Sequence, residues 1–152
     1  MEKLIRFLLL FSAFLFVGKA YAQHDITGYW KTIDDKTHKP KSVVHIYKAH
    51  DGKYYGKIVK LFREPGEDPN PKCDKCPGDR RNKPIIGMVI LTKLEKVGPN
   101  KWDHGRILDP GNGNIYDCKM WLENGKLQVR GYIGWSLIGR SQQWLPYKPK
   151  KK

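Results

Sequence analysis

Eight short runs rich in β-branched and aromatic residues, each bounded by turn-forming residues, constrain the fold of this chain more than any other feature. Past residue 26, apolar residues almost never recur at helical spacing, and the connections Asp51-Gly52 and Glu123-Asn124-Gly125 tolerate the dihedral angles of tight hairpins. Such close spacing favours antiparallel pairing of consecutive strands. The predicted strands lie near residues 28–34, 42–49, 53–62, 85–95, 101–109, 114–122, 126–134 and 141–147.

Eight antiparallel strands form either a sandwich or a closed barrel, and closure removes the exposed edges. We therefore predict an all-β fold, an eight-stranded antiparallel up-and-down barrel, as a single domain over residues 23–147. Alternation along the strands puts one set of side chains on the inward face: Trp30, Tyr116, Cys118, Met120, Leu127 and Val129. The fourth run is apolar on both faces, so either the long loop 63–84 or a partner protein is expected to cover its outside.

Residues 1–22 have the three parts of a secretory signal peptide. Lys3 and Arg6 form the basic start, residues 7–17 the apolar stretch, and Ala20-Tyr21-Ala22 the small-x-small cleavage site. An apolar run of 11 residues is too short to span a bilayer, which needs about 20. We expect a cleaved signal, export to the periplasm or the extracellular space, and no membrane span.

The chain is strongly basic, with a formal net charge of +14. Removal of residues 1–22 takes away three basic residues and one acidic residue, which leaves +12. Residues 148–152 are predicted to form a basic disordered tail because they have no apolar partner. Outside the cytosol such a charge meets anionic polymers, lipid headgroups or acidic proteins, or it only aids solubility. Nucleic acid is not an expected partner, because the lysines are dispersed and no DNA-binding motif is present.

Two residues resemble a feature of lipocalins. In that fold a tryptophan on the first strand packs beneath a basic side chain of the last strand and closes one end of the barrel. Gly28-x-Trp30 on the first strand and Arg140 on the last match this arrangement. The resemblance implies that Trp30 and Arg140 close the barrel through a cation–π contact.

Nearly the whole chain after residue 27 is similar to the bacterial domain-of-unknown-function family 2147, a group of small exported proteins. The resemblance implies a lipocalin-like barrel and an envelope location, and it carries no established activity. His38 and His104 depart from the pattern at positions where the family usually has glycine. The matching segments are Gly28-Tyr29-Trp30, Asp34-Asp35, residues 39–44, Ile46-Tyr47, Gly56-Lys57-Ile58, residues 83–87, residues 107–110, Gly113 with Tyr116, residues 129–134 and residues 139–144.

The cysteines favour a disulfide over a metal or redox site. Cys73 and Cys76 lie in a loop rich in proline, and Pro77 excludes the helix that would lower the pKa of a redox thiol. A structural zinc ion needs four ligands, whereas only Cys118 and scattered histidines are available beyond this pair. In an oxidising compartment a Cys73–Cys76 disulfide that shapes the loop is the leading prediction. Cys118 is then either a buried, inert thiol or the partner of one loop cysteine.

The sequence contains no pattern that points to catalysis. Asp34 and Asp35 are adjacent, so their side chains diverge, and a capped turn explains them. None of the five histidines lies in a catalytic motif, and Gly111-Asn112-Gly113 joins two strands, not a strand and a helix as in phosphate-binding loops. We expect no enzyme activity, no metal and no cofactor.

A small-molecule site inside the barrel is the main functional prediction. The ligand is expected to be a small, amphipathic molecule or an envelope component, with its apolar part among inward side chains and its orientation set by groups near the rim. The alternative is a filled barrel that acts as a structural module and docks a partner protein or glycan through its basic aromatic surface. Arg130 and Arg140 either contact the ligand or form ion pairs with Asp34, Asp35 or Asp109 that fasten the barrel. The predicted ligand-binding residues are Trp30, Ile46, Ile58, Met88, Tyr116, Met120, Val129, Arg130, Arg140, Gln142 and Trp144.

Overall fold

The protein is described by a computed structural model that covers residues 25–134 and 139–150; the predicted signal peptide lies outside the described residues. Consecutive strands pair antiparallel and the last strand pairs with the first, so the sheet closes into a barrel in the order β1 to β8. This confirms the predicted fold class. The strands are β1 (Gly28–Ile33), β2 (Pro40–Lys48), β3 (Tyr54–Leu61), β4 (Val89–Gly98), β5 (Lys101–Leu108), β6 (Ile115–Glu123), β7 (Lys126–Tyr132) and β8 (Gly139–Pro146).

The fourth strand begins later than its apolar sequence predicted. Residues 85–88 form a turn in which the Met88 N–H donates to the Ile85 carbonyl at 3.1 Å, and Gly87 has a φ of 92°. A positive φ is strained for residues other than glycine and breaks the extended backbone of a strand. β4 therefore starts at Val89, and Ile85 belongs to the long connection from β3.

One end of the barrel is filled by side chains. We call it the plugged end; it is formed by residues 25–27 and the turns after β2, β4 and β6. The Trp30 indole N–H donates to the Ile26 carbonyl at 2.8 Å, and the Tyr54 and Trp102 rings meet edge to face with centroids 6.2 Å apart. These four side chains are buried. The plugged end therefore holds the tightest part of the core, with Ile46, Leu94, Met120 and Leu127 next to it along the chain's inward faces.

The opposite end, which we call the mouth, is formed by the β1–β2 turn, the β5–β6 turn and the long β3–β4 loop. The segment around the Cys73–Cys76 disulfide holds this loop against the barrel. Cys76 lies 3.8 Å from the Met88 sulfur, the Cys73 sulfur lies 3.4 Å from the Pro110 carbonyl oxygen, and the Lys75 carbonyl packs against Gly113. Arg80 donates to the Val89 carbonyl at 3.3 Å, so the loop covers the start of β4. Of the two predicted ways to cover this strand, the structure shows the loop.

The seam between β1 and β8 has a short backbone ladder. Among the described residues, two pairs are in register, Trp30 with Pro146 and Lys31 with Leu145, and both lie towards the plugged end. Nearer the mouth, side chains continue the seam: Arg140 pairs with Asp35, and Gln142 donates to the same carboxylate at 3.1 Å. Side-chain contacts thus hold together the part of the seam that has no backbone ladder.

Among the residues that the structure describes, no helix is long and apolar enough to cross a bilayer.

Candidate ligand-binding site

A cavity of about 570 Å³ lies inside the barrel on the side of the mouth. This volume is within the range of sites for small molecules, roughly 300–1,000 Å³, and an eight-stranded barrel has room for one small ligand. The cavity exists because large side chains fill only the plugged end. Towards the mouth the inward positions include Gly131 on β7 and the hydroxyl residues Thr32 and Ser42, which leave space.

The wall of the cavity is mainly aliphatic and comes from strands on all sides of the barrel. Ile58 on β3, Ile90 on β4 and Val129 on β7 are buried and line it. Trp144 closes the wall on the β8 side and is likewise buried. The further aliphatic lining residues are Ile33, Leu61, Ile85, Ile107, Leu108 and Ile133. Such a surface gains free energy by covering an apolar group, at about 25 cal/mol per Å² removed from water.

A chain of polar contacts runs from the mouth into the cavity along β8. Asp35, in the β1–β2 turn, pairs with Arg140 and accepts a hydrogen bond from Gln142. The Gln142 side-chain oxygen in turn accepts the Trp144 indole N–H at 3.3 Å. The Arg140 side chain is 58% exposed, so part of its guanidinium faces the mouth and keeps donors for a further acceptor.

Tyr116 brings a phenol to the opposite side of the mouth. Its hydroxyl oxygen accepts hydrogen bonds from the amides of Asn112 at 3.0 Å and Asn114 at 3.3 Å. Because both neighbours donate, the Tyr116 O–H proton is left for another acceptor. The β5–β6 turn therefore holds a hydrogen-bond donor at the entrance.

Thr32 and Ser42 form a buried hydroxyl pair in the cavity wall. Their oxygens are 2.8 Å apart, and the Ser42 N–H donates to Thr32 at 3.0 Å. Two hydroxyl groups share this contact, and each can act as donor or acceptor. The pair adds a polar contact beside the apolar side chains of the wall. Neither Thr32 nor Ser42 is among the predicted ligand-binding residues, although alternation from Trp30 puts Thr32 on the inward face.

Charges of both signs lie at the mouth. Asp34, Lys41, Arg63 and Asp109 line the cavity there together with Arg140. The backbone N–H and the hydroxyl of Thr37, and then the backbone N–H of Lys36, hydrogen-bond to Asp34 and hold the pKa of its carboxyl below the usual value. Asp34 therefore stays ionised and caps its turn, as the sequence predicted for this segment. The mouth presents a balanced polar ring, not a surface of one sign.

Six of the eleven predicted ligand-binding residues line this cavity: Ile58, Tyr116, Val129, Arg140, Gln142 and Trp144. The other five lie elsewhere. Trp30, Ile46 and Met120 are buried in or next to the plugged end, and Met88 packs against Cys76 in the loop. Arg130 points outward, because it follows the inward-facing Val129, and donates to Ser141 at 3.1 Å.

The structure does not form the predicted closure by Trp30 and Arg140. Trp30 is opposite Pro146 in the β1–β8 register, whereas Arg140 lies six residues earlier, at the start of β8. At about 3.3 Å per residue the two are separated by roughly 20 Å along the strand. Trp30 instead belongs to the plugged end and Arg140 to the mouth, where its ion pair with Asp35 realises one of the predicted alternatives.

The cysteines have the predicted pairing. Cys73 and Cys76 form a disulfide, and Cys118 is a free, buried thiol on β6. Burial, and to a smaller extent the charge of Asp103, raises the pKa of the Cys118 thiol far above its usual value. A thiol held in its neutral form is a poor nucleophile and a poor metal ligand. Within residues 25–134 and 139–150, no three His, Cys, Asp or Glu side chains converge in a way that suits a metal ion.

The fold is similar to that of a solved structure. The structure of protein HP1028 from the human pathogen Helicobacter pylori, described as belonging to the lipocalin family, superimposes with a TM-score of 0.70. The match covers 82% of this chain and 84% of that chain, at 22% sequence identity. The barrel is therefore lipocalin-like. A comparison with functionally curated proteins gave no match.

The sequence also matches a family model. The model is that of DUF2147, described as an uncharacterized protein conserved in bacteria, and the match spans residues 28–145. This range runs from the first residue of β1 almost to the end of β8, so it contains the whole barrel. The chain accordingly belongs to the DUF2147 family of bacterial proteins.

Proposed function

We propose that this protein is an exported, non-catalytic carrier or receptor that binds a small amphipathic molecule inside its barrel. The observation that supports this most directly is the cavity of about 570 Å³, which has an aliphatic wall and a polar mouth. The apolar part of the ligand lies against Ile58, Ile90 and Val129, and its polar group faces the mouth. The lipocalin-like fold of the barrel is suited to this use.

The arrangement of polar groups gives the ligand an orientation. Arg140, Gln142 and the Tyr116 hydroxyl lie at or near the entrance. Among the described residues, the deeper wall offers the Thr32–Ser42 pair and the Trp144 indole N–H, which Gln142 already accepts. A polar head in the deep part would lose its hydrogen bonds with water and find few replacements. The head therefore stays at the mouth.

Export is supported by two features. The basic start, apolar stretch and small-x-small site of residues 1–22 have the order of a signal peptide, and the Cys73–Cys76 disulfide suits an oxidising compartment. The proposed absence of catalysis rests on the geometry of the mouth. Asp34 and Asp35 are each engaged by hydrogen bonds or an ion pair, and the buried Cys118 thiol is held neutral.

The rival proposal, a completely filled barrel that acts only as a docking module, requires a cavity too small for any ligand. The cavity volume favours the binding barrel over this alternative.

A native mass spectrum of the processed protein, purified from its own compartment, tests the proposal together with a pair of variants. An added mass that leaves on denaturation is expected. Val129→Trp fills the cavity, whereas Gln128→Trp adds the same ring on the outward face of the same strand. An apolar fluorescent probe should bind Gln128→Trp as it binds the wild type, and Val129→Trp at least about tenfold more weakly. Equal binding by both variants, with circular dichroism confirming that both are folded, would place the probe outside the barrel and refute the proposal.

A further inference from the structure

The outer face of β1, β2 and β3 carries an aromatic row that plays no part in the cavity. Tyr29 on β1 stacks on His45 of β2 with centroids 4.4 Å apart, and His45 lies 5.8 Å from Tyr47. Tyr47 in turn lies 6.2 Å from Tyr55 on β3. The four rings follow the strand register, in which Tyr29 is opposite His45 and Tyr47 is opposite Tyr55. The row is a continuous strip that crosses three strands.

Lysines border this row. Lys57 is opposite His45, and its ammonium lies 6.0 Å from the centre of the Tyr47 ring. Lys31 and Lys60 flank Val43 in the next row of the sheet. Val43 has no exposed surface although it faces outward, as expected when the aliphatic stems of the neighbouring lysines cover it. We call these four rings and three lysines the aromatic–lysine face.

The basic segment that follows β8 starts beside this face. The Tyr147 N–H donates to the Tyr29 carbonyl at 2.9 Å, and the Lys60 ammonium lies 5.8 Å from the Tyr147 ring. The next residues, 148–152, contain four lysines. Of these, Lys148 and Lys150 are described by the structure and exposed, and Lys148 directly follows Tyr147, so it lies on the same side of the barrel as the three lysines of the face.

Carboxylates do not neutralise the face. In the part of the chain that the structure describes, the ion pairs involve Lys39, Lys53, Arg63 and Arg140, and none involves a lysine of the aromatic–lysine face. Asp51, in the turn after β2, is the carboxylate that contacts the row, and it accepts the Tyr55 hydroxyl at 2.6 Å. The face is consequently cationic and suited to an anionic surface.

We infer that the aromatic–lysine face, together with Lys148 and Lys150, docks the barrel on the surface of a membrane that contains anionic phospholipids. Lysines near such a surface are attracted to its headgroups, and tyrosine and lysine side chains are suited to headgroup depth because each has an apolar body and a polar end. Stacking of Tyr29 on His45 covers ring faces that a sugar would otherwise need, which disfavours a glycan as the occupant. The large hydrophobic side chains that are exposed, Val97 and Ile133, lie outside the face. Docking is therefore electrostatic and does not require insertion into the hydrocarbon.

The site is independent of the proposed cavity ligand, because the rings and lysines of the face point away from the barrel interior. A lipocalin-like carrier docked in this way holds its barrel next to the membrane. Loss of docking with intact probe binding separates this inference from the proposed function.

Cosedimentation of the processed protein with lipid vesicles tests the inference. Vesicles of equal parts phosphatidylglycerol and phosphatidylcholine are compared with vesicles of phosphatidylcholine alone. The test variant is Lys31→Gln/Lys57→Gln/Lys60→Gln, and the control is Lys101→Gln/Lys119→Gln/Lys126→Gln, which removes the same charge from β5, β6 and β7 on the opposite side. A third variant is Lys148→Gln/Lys150→Gln.

The wild type is expected to bind the anionic vesicles and not the neutral ones. Each lysine near the surface contributes about a fivefold gain in partitioning, so the test variant should bind at least about 100-fold more weakly, the Lys148→Gln/Lys150→Gln variant at least about 20-fold more weakly, and the control within about threefold of wild type. Three outcomes would overturn the inference: no binding to anionic vesicles, equal losses in the test and control variants, or binding to soluble dextran sulfate without binding to vesicles.

Discussion

At the scale of single residues, the backbone at His38 and His104 has a cost that the sequence does not show directly. His38 has a φ of 57° and His104 a φ of 61°, both in the left-handed region. Side chains with a Cβ are strained there by roughly 1–2 kcal/mol, whereas glycine is not. The family resemblance implies a glycine at both positions, and a left-handed φ agrees with that expectation. His38 lies in the β1–β2 turn and His104 inside β5, where the register with β6 shifts.

Substitution of these two histidines by glycine should therefore stabilise the protein. We expect His38→Gly and His104→Gly each to raise the free energy of unfolding by about 1 kcal/mol, because relief of the left-handed strain exceeds the added entropy of the unfolded chain. His50→Gly is the matched control, since His50 is exposed and is not among the residues with positive φ. It should leave stability unchanged or lower it. Urea unfolding followed by tryptophan fluorescence measures all three, and a gain for His50→Gly equal to the others would contradict the strain argument.

At the scale of elements, the long β3–β4 loop packs closely against the β5–β6 turn. This close packing is possible because Gly113 has no side chain. A Cβ added at Gly113 would meet the Lys75 carbonyl, and the residue also has a φ of 77°. Gly125, in the β6–β7 turn, has a similar φ of 72°, but a Cβ there would meet nothing within 4 Å. The two glycines thus share the same backbone strain and differ in the contact.

Gly113→Ala should separate the loop from the β5–β6 turn. Gly125→Ala should only lower the free energy of unfolding by the left-handed backbone strain, about 1–2 kcal/mol. Hydrogen exchange gives the readout, because the Cys73 N–H donates to the Lys83 carbonyl and the Asn82 N–H to the Cys73 carbonyl within the loop. These amides are expected to exchange at least about tenfold faster in Gly113→Ala and at the wild-type rate in Gly125→Ala. Unchanged protection in Gly113→Ala would mean that the loop is held without this contact.

The same elements show how far the sequence could be interpreted. The strands and their order were predictable because most of the connections are short turns that encode a hairpin locally, such as Asp51-Gly52 between β2 and β3. The contact between Trp30 and Arg140 was predicted wrongly, because the register of β1 against β8 joins residues more than 100 positions apart and leaves no local signal. Alternation gave the inward faces of β1, β6 and β7 correctly and could not give the depth in the barrel. Ile46 and Ile58 therefore looked equivalent, although only Ile58 lines the cavity.

At the scale of the whole molecule, the barrel divides into a plugged half that supplies stability and a half with a cavity that is available for binding. Ile46 has no exposed surface and belongs to the core cluster without lining the cavity. Ile58, on the neighbouring strand, is 3% exposed and lines the cavity. In the pairing of β2 with β3, Val44 is opposite Ile58 and Ile46 is opposite Gly56. The two isoleucines therefore lie at different distances from the mouth.

The substitution of isoleucine by alanine at these two positions should separate stability from binding. Ile46→Ala leaves a new void in a packed core and is expected to cost about 2–5 kcal/mol, with probe affinity within about threefold of wild type. Ile58→Ala enlarges a cavity that already exists, so it should cost less than Ile46→Ala and weaken an apolar probe about tenfold through lost contact. Urea unfolding and probe titration on the same samples give both quantities. If both variants lost stability and affinity to the same extent, the barrel would have one undivided interior, and the assignment of separate roles to its two halves would be wrong.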